Sequence, residues 1–309
     1  MTEHALAAEP THSRWNRALP PRLEIDPGDT VHFQCVDASG GQMRPGISLE
    51  QLSGIDRGRV HSLTGPVFIR GAQPGDVLEI EILDLTHHGW GYSTIVEGLG
   101  FLKDRFREPY LFHWDLLPHE TRSLAPAVVP LRPFCGVMGV APTADGEFRT
   151  RPPGPFGGNM DVRELCAGAR LYLPVLNPGA LFSCGDGHAA QGDGEVCING
   201  IECPLDATLR FHLHRSHTLS APLVESAEHS ASSDSWIVVE SDPDPLRAAR
   251  SATSRMVDLL ARLWGFTDVD AYILCSVAMN LRLSQVVNEP MITVSAAIAK
   301  SILPERRLF

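Results

Sequence analysis

Apolar and polar residues alternate with a period of two through much of the first two thirds of the chain. Val31, Phe33 and Cys35 interleave with Thr30, His32 and Gln34 directly after the turn Pro27-Gly28-Asp29. Leu78, Ile80 and Ile82 interleave with Glu79 and Glu81 after a second such turn, Pro74-Gly75-Asp76, and Leu209, Phe211 and Leu213 with Arg210, His212 and His214. Successive side chains of a strand point to opposite faces, so each run predicts a strand with one face in a core and one in water. One wet face per strand favours antiparallel sheets stacked as a sandwich over a parallel sheet covered on both sides. The 27 Gly and 24 Pro give the dense turn punctuation that short strands need. The residues around the two Pro-Gly-Asp turns do not repeat, so no internal repeat is expected.

The period changes beyond residue 240. Asp244-Pro245 forms an N-cap and first-turn pair, and Ala249, Thr253, Met256, Leu260 and Leu263 follow at helical spacing until Gly265. This predicts the longest helix of the chain over Pro245 to Leu263. A second helix is expected from Thr267, with Asp270 three residues on approximating a capping box and Ala271, Leu274, Cys275 and Ala278 as its apolar face. Met291 to Ile298 reads as a closing strand, and Ser216 to Ser235, rich in Ser, His and Glu, as a loop or hairpin excursion. No Gly/Ser-rich linker interrupts the chain. The expected architecture is mainly β, an antiparallel β-sandwich with a small C-terminal α/β element, in a single domain over 1–309. Residues 15–240 would form the β-rich core, and 241–309 a helical hairpin plus closing strand packed on it.

Bulk properties exclude several functions. A net charge of −11 argues against nucleic acid, which requires a basic face for phosphate contacts, and against an anionic membrane surface. No apolar run approaches the roughly 20 residues that span a bilayer, and Met1 to Pro20 has no signal-peptide core, so the cytoplasm is the expected compartment. The seven cysteines are scattered and odd in number, without zinc-ribbon or redox spacing, and most read as buried thiols in a reducing environment.

Chemistry concentrates in Gly185-Asp186-Gly187-His188-Ala189-Ala190-Gln191-Gly192-Asp193-Gly194-Glu195. Three carboxylates and an imidazole lie there among residues of little bulk, and glycine lets acidic groups turn inward on tight loops. Carboxylate plus imidazole is a ligand set for a zinc-type cation, and a spare carboxylate can act as a general base. Asp186 and His188, one residue apart, would reach the same side of a strand or inward from a turn; the alternative is a solvated Gly-Asp turn. Asp193 fits a turn better than catalysis. Ser183-Cys184 offers a nucleophile, but it lacks a Gly-x-Ser-x-Gly frame, and acidic surroundings would blunt a thiol. His87-His88 point to opposite faces of any strand, and Tyr110 to Trp114 fits core or pocket wall.

Gly157-Gly158-Asn159-Met160-Asp161, Leu173-Pro174-Val175, Pro178-Gly179-Ala180-Leu181-Phe182 and the Gly185 to Glu195 window together resemble the signature blocks of the acetamidase/formamidase family. Asp37-Ala38-Ser39-Gly40-Gly41-Gln42, Leu63-Thr64-Gly65-Pro66-Val67, Gly136 to Pro142 and Ser284-Gln285-Val286-Val287 join them in family order. Two positions depart from the pattern: Phe156, where many relatives place His, and Glu97, where Pro is common. The resemblance implies hydrolysis of a small carboxamide of the formamide or acetamide type, by a homo-oligomer dependent on a divalent metal, zinc first and calcium second. It implies metal ligands Asp37, Asp186 and His188, with His61 beside them where relatives often carry Asn. Glu195 would be the general base and acid. Asn159 and Asp161 would place an amide and a carboxylate at one spot, or cap a helix over Val162 to Ala167. Glu202 is a second carboxylate for which a structural role is equally open. The alternative function is a non-catalytic cation-binding β-sandwich.

Overall fold

The computed structural model describes residues 1–227, 234–306 and 308–309. The three alternating runs are strands, Thr30–Cys35, Val77–His87 and Leu205–His214, and they are antiparallel neighbours in one sheet. Val31, Phe33, Leu78, Ile80, Ile82, Leu209 and Phe211 are buried, whereas Leu213 at the strand end is only half-buried. Among the described residues this sheet has nine strands. Their order is Glu3–Leu6, Thr30–Cys35, Leu205–His214, Val77–His87, Arg170–Pro174, Leu223–Glu225, Ser235–Asp242, Ile292–Ala299, Met279–Gln285. A five-stranded sheet runs Gly157–Asn159, Phe134–Gly139, Phe182–His188, Leu63–Ile69, Leu23–Ile25.

The two sheets share one core. Phe182 of the smaller sheet meets Phe33 and Phe211 of the larger, with ring centroids 6.1 and 5.2 Å apart in edge-to-face geometry. Each such fully buried side chain contributes about 1.5–3 kcal/mol through area removed from water. The sheets are mixed, which corrects the antiparallel expectation. Glu3–Leu6 runs parallel to Thr30–Cys35, and Leu23–Ile25 parallel to Leu63–Ile69. Both are edge strands of three or four residues, too short to carry a readable period.

The long helix is Pro245–Trp264, with the Asp244 side chain accepting from the backbone N–H of Leu246 at 2.9 Å and Gly265 closing it at φ 74°. Its buried stripe is Ala248, Ala252, Met256, Leu259 and Leu260, one position earlier on two turns than the spacing suggested, because the small alanines let the helix lie close on Trp236, Val238, Ala296 and Ile298. Thr267 caps the second helix, Asp268–Ala278, by accepting from the Asp270 backbone N–H at 3.2 Å. The closing strand is Ile292–Ala299, and a second one, Met279–Gln285, was not anticipated. Within Ser216 to Ser235 the chain forms the strand Leu223–Glu225, and part of that segment, 228–233, lies outside the described residues. Residues 162–167 form turns instead of a helix. No helix among the described residues is long and apolar enough to cross a membrane.

Candidate active site

The strand Phe182–His188 carries the first half of the acidic window, and every one of its residues is buried. Of the two arrangements open to Asp186 and His188, strand and turn, the chain takes the strand. Gly185 and Gly187 are there because neighbouring backbone is close: a Cβ at Gly185 would meet the Ser62 carbonyl at 2.7 Å, and one at Gly187 the Cys203 carbonyl at 2.6 Å. Asp186 and His188 share one strand face, as their spacing predicts, with His188 Nε2 3.8 Å from Asp186 Oδ1. Asp161 Oδ1 lies 3.9 Å from His188 Nδ1. Glu195 Oε1 lies 4.0 Å and Glu202 Oε1 2.8 Å from His188 Nε2. Four carboxylates thus surround one imidazole, and all five residues are buried.

Backbone conformation brings them in. Asp161, Asp186 and Glu195 have φ of 50°, 57° and 48°, a left-handed region that non-glycine residues adopt at a cost and that clusters at functional sites. Gly136 on the adjacent strand faces two of them, and a Cβ there would overlap Asp161 Oδ1 and sit 2.8 Å from Asp186 Oδ2. The C-terminal block secures the loop that carries Glu195: Gly194 N donates to the Ser284 carbonyl at 3.1 Å, and Val286 N to the Gly194 carbonyl at 3.1 Å. Gln285 Oε1 accepts from the backbone of Val287 and Asn288 at 2.9 and 2.8 Å. Asn288 Nδ2 then donates to Asp161 Oδ2 at 2.5 Å and to the Asn159 carbonyl at 3.2 Å.

A similar relay sets the histidine tautomer. Gln191 Nε2 donates to the Asp161 carbonyl at 3.0 Å, which turns Gln191 Oε1 toward His188 Nδ1 at 2.8 Å. An amide oxygen only accepts, so Nδ1 carries a proton and Nε2 is the nitrogen turned toward the carboxylates, protonated beside them in the free protein and able to give up that proton to a cation. Nε2 makes no hydrogen bond, and neither do Asp161 Oδ1, Glu195 Oε2, Glu202 Oε2 and Asn159 Oδ1, although all are buried. Buried polar atoms left this way are costly unless something else satisfies them. Two overlapping sets, Asp161/Asp186/His188 and His188/Glu195/Glu202, are compact enough to hold an ion.

Electrostatics point the same way. Burial, then the neighbouring carboxylates, raises Glu195 well above the usual carboxylate range. Burial also raises Asp161 and Glu202, outweighing the lowering by His188. For His188 burial works downward, but Glu202, Asp186 and Asp161 overcome it and hold the proton on the imidazole. Without a cation, the cluster must hold protons to limit its own repulsion. A divalent ion would take their place, so the donor set fits one.

These groups open onto a cavity of about 1140 Å³ lined by His61, Tyr92, Asn159, Asp186, Glu195 and Glu202, among others. A profile of the Acetamidase/Formamidase family matches residues 2–148 and 143–305. The chain belongs to that family. Solved structures of similar fold include an acetamidase from Bacillus halodurans, 32% identical, with a TM-score of 0.89 and 96% of this chain and 98% of that one covered. Another is an acetamidase/formamidase from Thermoanaerobacter tengcongensis, 28% identical, with a TM-score of 0.90 and coverage of 98% and 97%. The acetamidase of Mycolicibacterium smegmatis is 29% identical over 257 residues and the formamidase of Methylophilus methylotrophus 30% over 244. The alignments cover 62% and 61% of this chain, which spans 63% and 60% of the length of those two relatives.

Within this family member the residues named from sequence fall into three groups. Asp161, Asp186, His188 and Glu195 converge, which moves Asp161 from the expected catalytic pair into the candidate ligand set. Asn159 and His61 line the cavity beside them, and burial, opposed by Asp186, lowers the His61 imidazole. Asp37 is buried nearby, but its oxygens are committed: Oδ2 accepts from Ser39 N at 2.9 Å and Tyr92 Oη at 2.8 Å, and Oδ1 from Gly41 N at 3.0 Å. It lies outside both compact sets. Sequence reasoning left Glu202 undecided and missed Gln191, Tyr92 and Asn288.

The remaining candidates lie elsewhere. Ser183 accepts or donates to His12 Nε2 at 2.8 Å, a dyad-like contact, but Ser183 is fully buried. Asp193 pairs with Arg163 at 3.0 Å, and His88 with Asp206 at 3.1 Å. Phe156 packs edge-on against Trp15, centroids 5.5 Å apart. All seven cysteines are free and most are buried, as expected; Cys197 is exposed and Cys166 partly so.

Proposed function

We propose that this protein hydrolyses the carbon–nitrogen bond of a primary carboxamide to a carboxylic acid and ammonia, using a divalent cation held by Asp161, Asp186, His188 and Glu202. The observation that carries this reading is the convergence of unpartnered buried donors and acceptors on one imidazole at a cavity wall, in a member of the acetamidase/formamidase family. A nitrogen donor among the carboxylates favours zinc over calcium, which takes oxygen ligands. Bound there, the cation would supply Lewis-acid polarisation of the substrate carbonyl and lower the pKa of water toward about 7.

The protein's own groups do the rest. Glu195 is buried, bordered by carboxylates that raise its proton affinity, and has one oxygen unpartnered, so it takes the proton from the attacking water. It then delivers that proton to the departing nitrogen, which leaves as ammonia. Asn159 Oδ1, also unpartnered, accepts from the substrate N–H and orients the amide. Asp37 is a positioning residue: it holds Tyr92, whose backbone pairs with that of Glu202 at 2.9 Å in both directions. The two facing sheets, one extended without a break into the C-terminal strands, support a sandwich in a single unit. The exposed apolar residues Val269, Tyr272, Ile273 and Val277 on the second helix support assembly into a homo-oligomer.

Ammonia release from formamide, acetamide and propionamide, measured on chelator-treated and zinc-reconstituted protein, tests this function. Glu195→Gln keeps size and hydrogen bonding but cannot accept the proton, so turnover should fall by about 10²–10⁴-fold with metal content and folding unchanged. Equal rates for variant and wild type would remove Glu195 as the base. A metal-loaded wild type that releases no ammonia from any carboxamide would leave a cation-binding protein in its place.

A further inference from the structure

Four arginines line the same cavity as Glu195: Arg14, Arg57, Arg149 and Arg151. None of them forms an ion pair with a carboxylate among the described residues, whereas the neighbouring Arg17 and Arg59 pair with Asp145 and Glu9. Arg14 and Arg149 stand directly opposite each other in the short antiparallel ladder Arg14–Trp15 with Phe148–Arg149. Like charges at opposed positions destabilise a ladder, so this pairing costs the free protein stability. Arg151 is partly buried, and the charges of Arg149 and Arg57 reach it and depress its proton affinity after burial does. The nearby carboxylate of Glu289 is already paired with Lys103 at 2.7 Å. Glu50, Glu97 and Glu108 also line the cavity; like Arg57 and Arg149 they are exposed to water, and none of the three forms an ion pair with these arginines.

The cavity is also large for a minimal amide. At about 1140 Å³ it exceeds the usual 300–1000 Å³ of small-molecule sites, and a substrate of a few non-hydrogen atoms would leave most of it to water. The electrostatic influence of Glu195 extends to Arg151, so both act on one space. An anion among the guanidinium groups would relieve their repulsion and gain paired N–H···O bonds, for which the planar Arg fork is suited.

We propose that the substrate is a primary amide bearing a carboxylate at its far end, with the carboxylate held by the Arg14/Arg57/Arg149/Arg151 cluster and the amide presented to Glu195. This deepens the amide-hydrolysis reading and rests on it for the reaction, but the anion site itself is independent of turnover. The probes are malonamate, succinamate and glutaramate, which vary the reach between amide and carboxylate, each compared with isocaproamide, whose two methyl groups replace the carboxylate oxygens of succinamate.

With zinc-reconstituted protein, kcat/KM for the best of the three anionic amides should exceed that for isocaproamide by about 10–100-fold, the scale of one or two charge-assisted hydrogen bonds. Arg149→Gln and Arg151→Gln should each shrink that ratio by about tenfold, mainly through KM for the anionic amide. Calorimetric titration of the same amides into the Glu195→Gln protein reads binding without hydrolysis, and the anionic preference should persist there and weaken with added salt. Turnover of isocaproamide with no anionic preference in either assay overturns the anion site and leaves amide hydrolysis standing. Anionic preference in calorimetry without ammonia release from any amide upholds the anion site and removes the hydrolytic reading. An unchanged ratio in both arginine variants overturns the cluster as its cause.

Discussion

Gly136→Ala adds one methyl group to the centre of the carboxylate cluster. At 136 the backbone lies outside the left-handed region, so alanine fits the chain there and the effect is steric. The new Cβ would lie 2.8 Å from Asp186 Oδ2 and 3.1 Å from the Asp186 carbonyl, and would overlap Asp161 Oδ1. Favourable contact begins near 3.5 Å, so the Asp186 carboxylate must retreat by about 0.7 Å and that of Asp161 by more. Neither moves freely, since both residues are in left-handed backbone and Asn288 holds Asp161 at 2.5 Å. Overpacking of this kind costs about 1–3 kcal/mol, and at about 2–4 °C per kcal/mol for a domain near this size the melt should drop by several degrees. Cation affinity should suffer more, because ligand distances are held to about 0.2 Å.

Gly192→Ala is the matched control. It lies in the same acidic window, also outside the left-handed region, and a Cβ there meets nothing within 4 Å. It should stay within about 0.5 kcal/mol of wild type. Thermal melts followed by circular dichroism, metal content after reconstitution, and ammonia release from acetamide measure both variants. The expected result is a folded Gly136→Ala protein depleted in metal and activity beside an unaffected Gly192→Ala. If Gly136→Ala binds metal at wild-type stoichiometry and turns over normally, the carboxylates packed against Gly136 do not form the site.

Two further expectations follow from the same cluster and from the C-terminal helices. In chelator, Asp161 and Glu202 are raised to about 7 and His188 to about 10, so each favours its protonated form in the folded state. Their unfolded counterparts ionise near 3.9, 4.3 and 6.5. The stability they contribute is therefore complete below those unfolded values and is lost as pH rises through the folded ones. Metal-free protein should melt lower at about pH 8 than at about pH 5, and added zinc should stabilise more as pH rises; a metal-free melt that climbs over that range contradicts the cluster's electrostatics. Light scattering should give a mass above one chain, and Val277→Glu on the exposed apolar face of Asp268–Ala278 should lower it; a monomeric wild type removes the homo-oligomer.

Legibility in the sequence followed the range of the forces involved. Alternation placed Val31, Ile80 and Phe211 because burial on one strand face is a local pattern, and Asp244 and Thr267 announced their helices through caps that act within one turn. Glu3–Leu6 and Leu23–Ile25 are too short for a period, so their parallel pairing was hidden. Met279–Gln285 does alternate, but Leu281 and Leu283 are 50% and 44% exposed, and such a strand shows no core face of its own. Glu202 sits between buried Ile201 and Cys203, where alternation turns it away from their core. That other side is the cavity, a fact set by the pairing of Glu202 with Tyr92 and His188 from distant parts of the chain.

The two Gly-Asp-Gly units show why a motif alone could not assign the site. Gly185-Asp186-Gly187 is strand, and each glycine faces a carbonyl less than 3 Å from where a Cβ would be; Asp186 is driven into the core beside Gly136. Gly192-Asp193-Gly194 is loop, Gly192 faces open space, and Asp193 turns outward to Arg163. Identical tripeptides therefore take opposite roles, and what separates them is the backbone packed alongside. The second unit still contributes, through Gly194 rather than Asp193. At φ 95°, and anchored to the backbone of Ser284 and Val286, Gly194 turns the chain so that the next residue, Glu195, enters the cluster from a loop. A loop is needed for that approach, because the strand ends at His188 and its next position on the face holding Asp186 and His188 is Cys184, four residues and roughly 13 Å along the strand from His188.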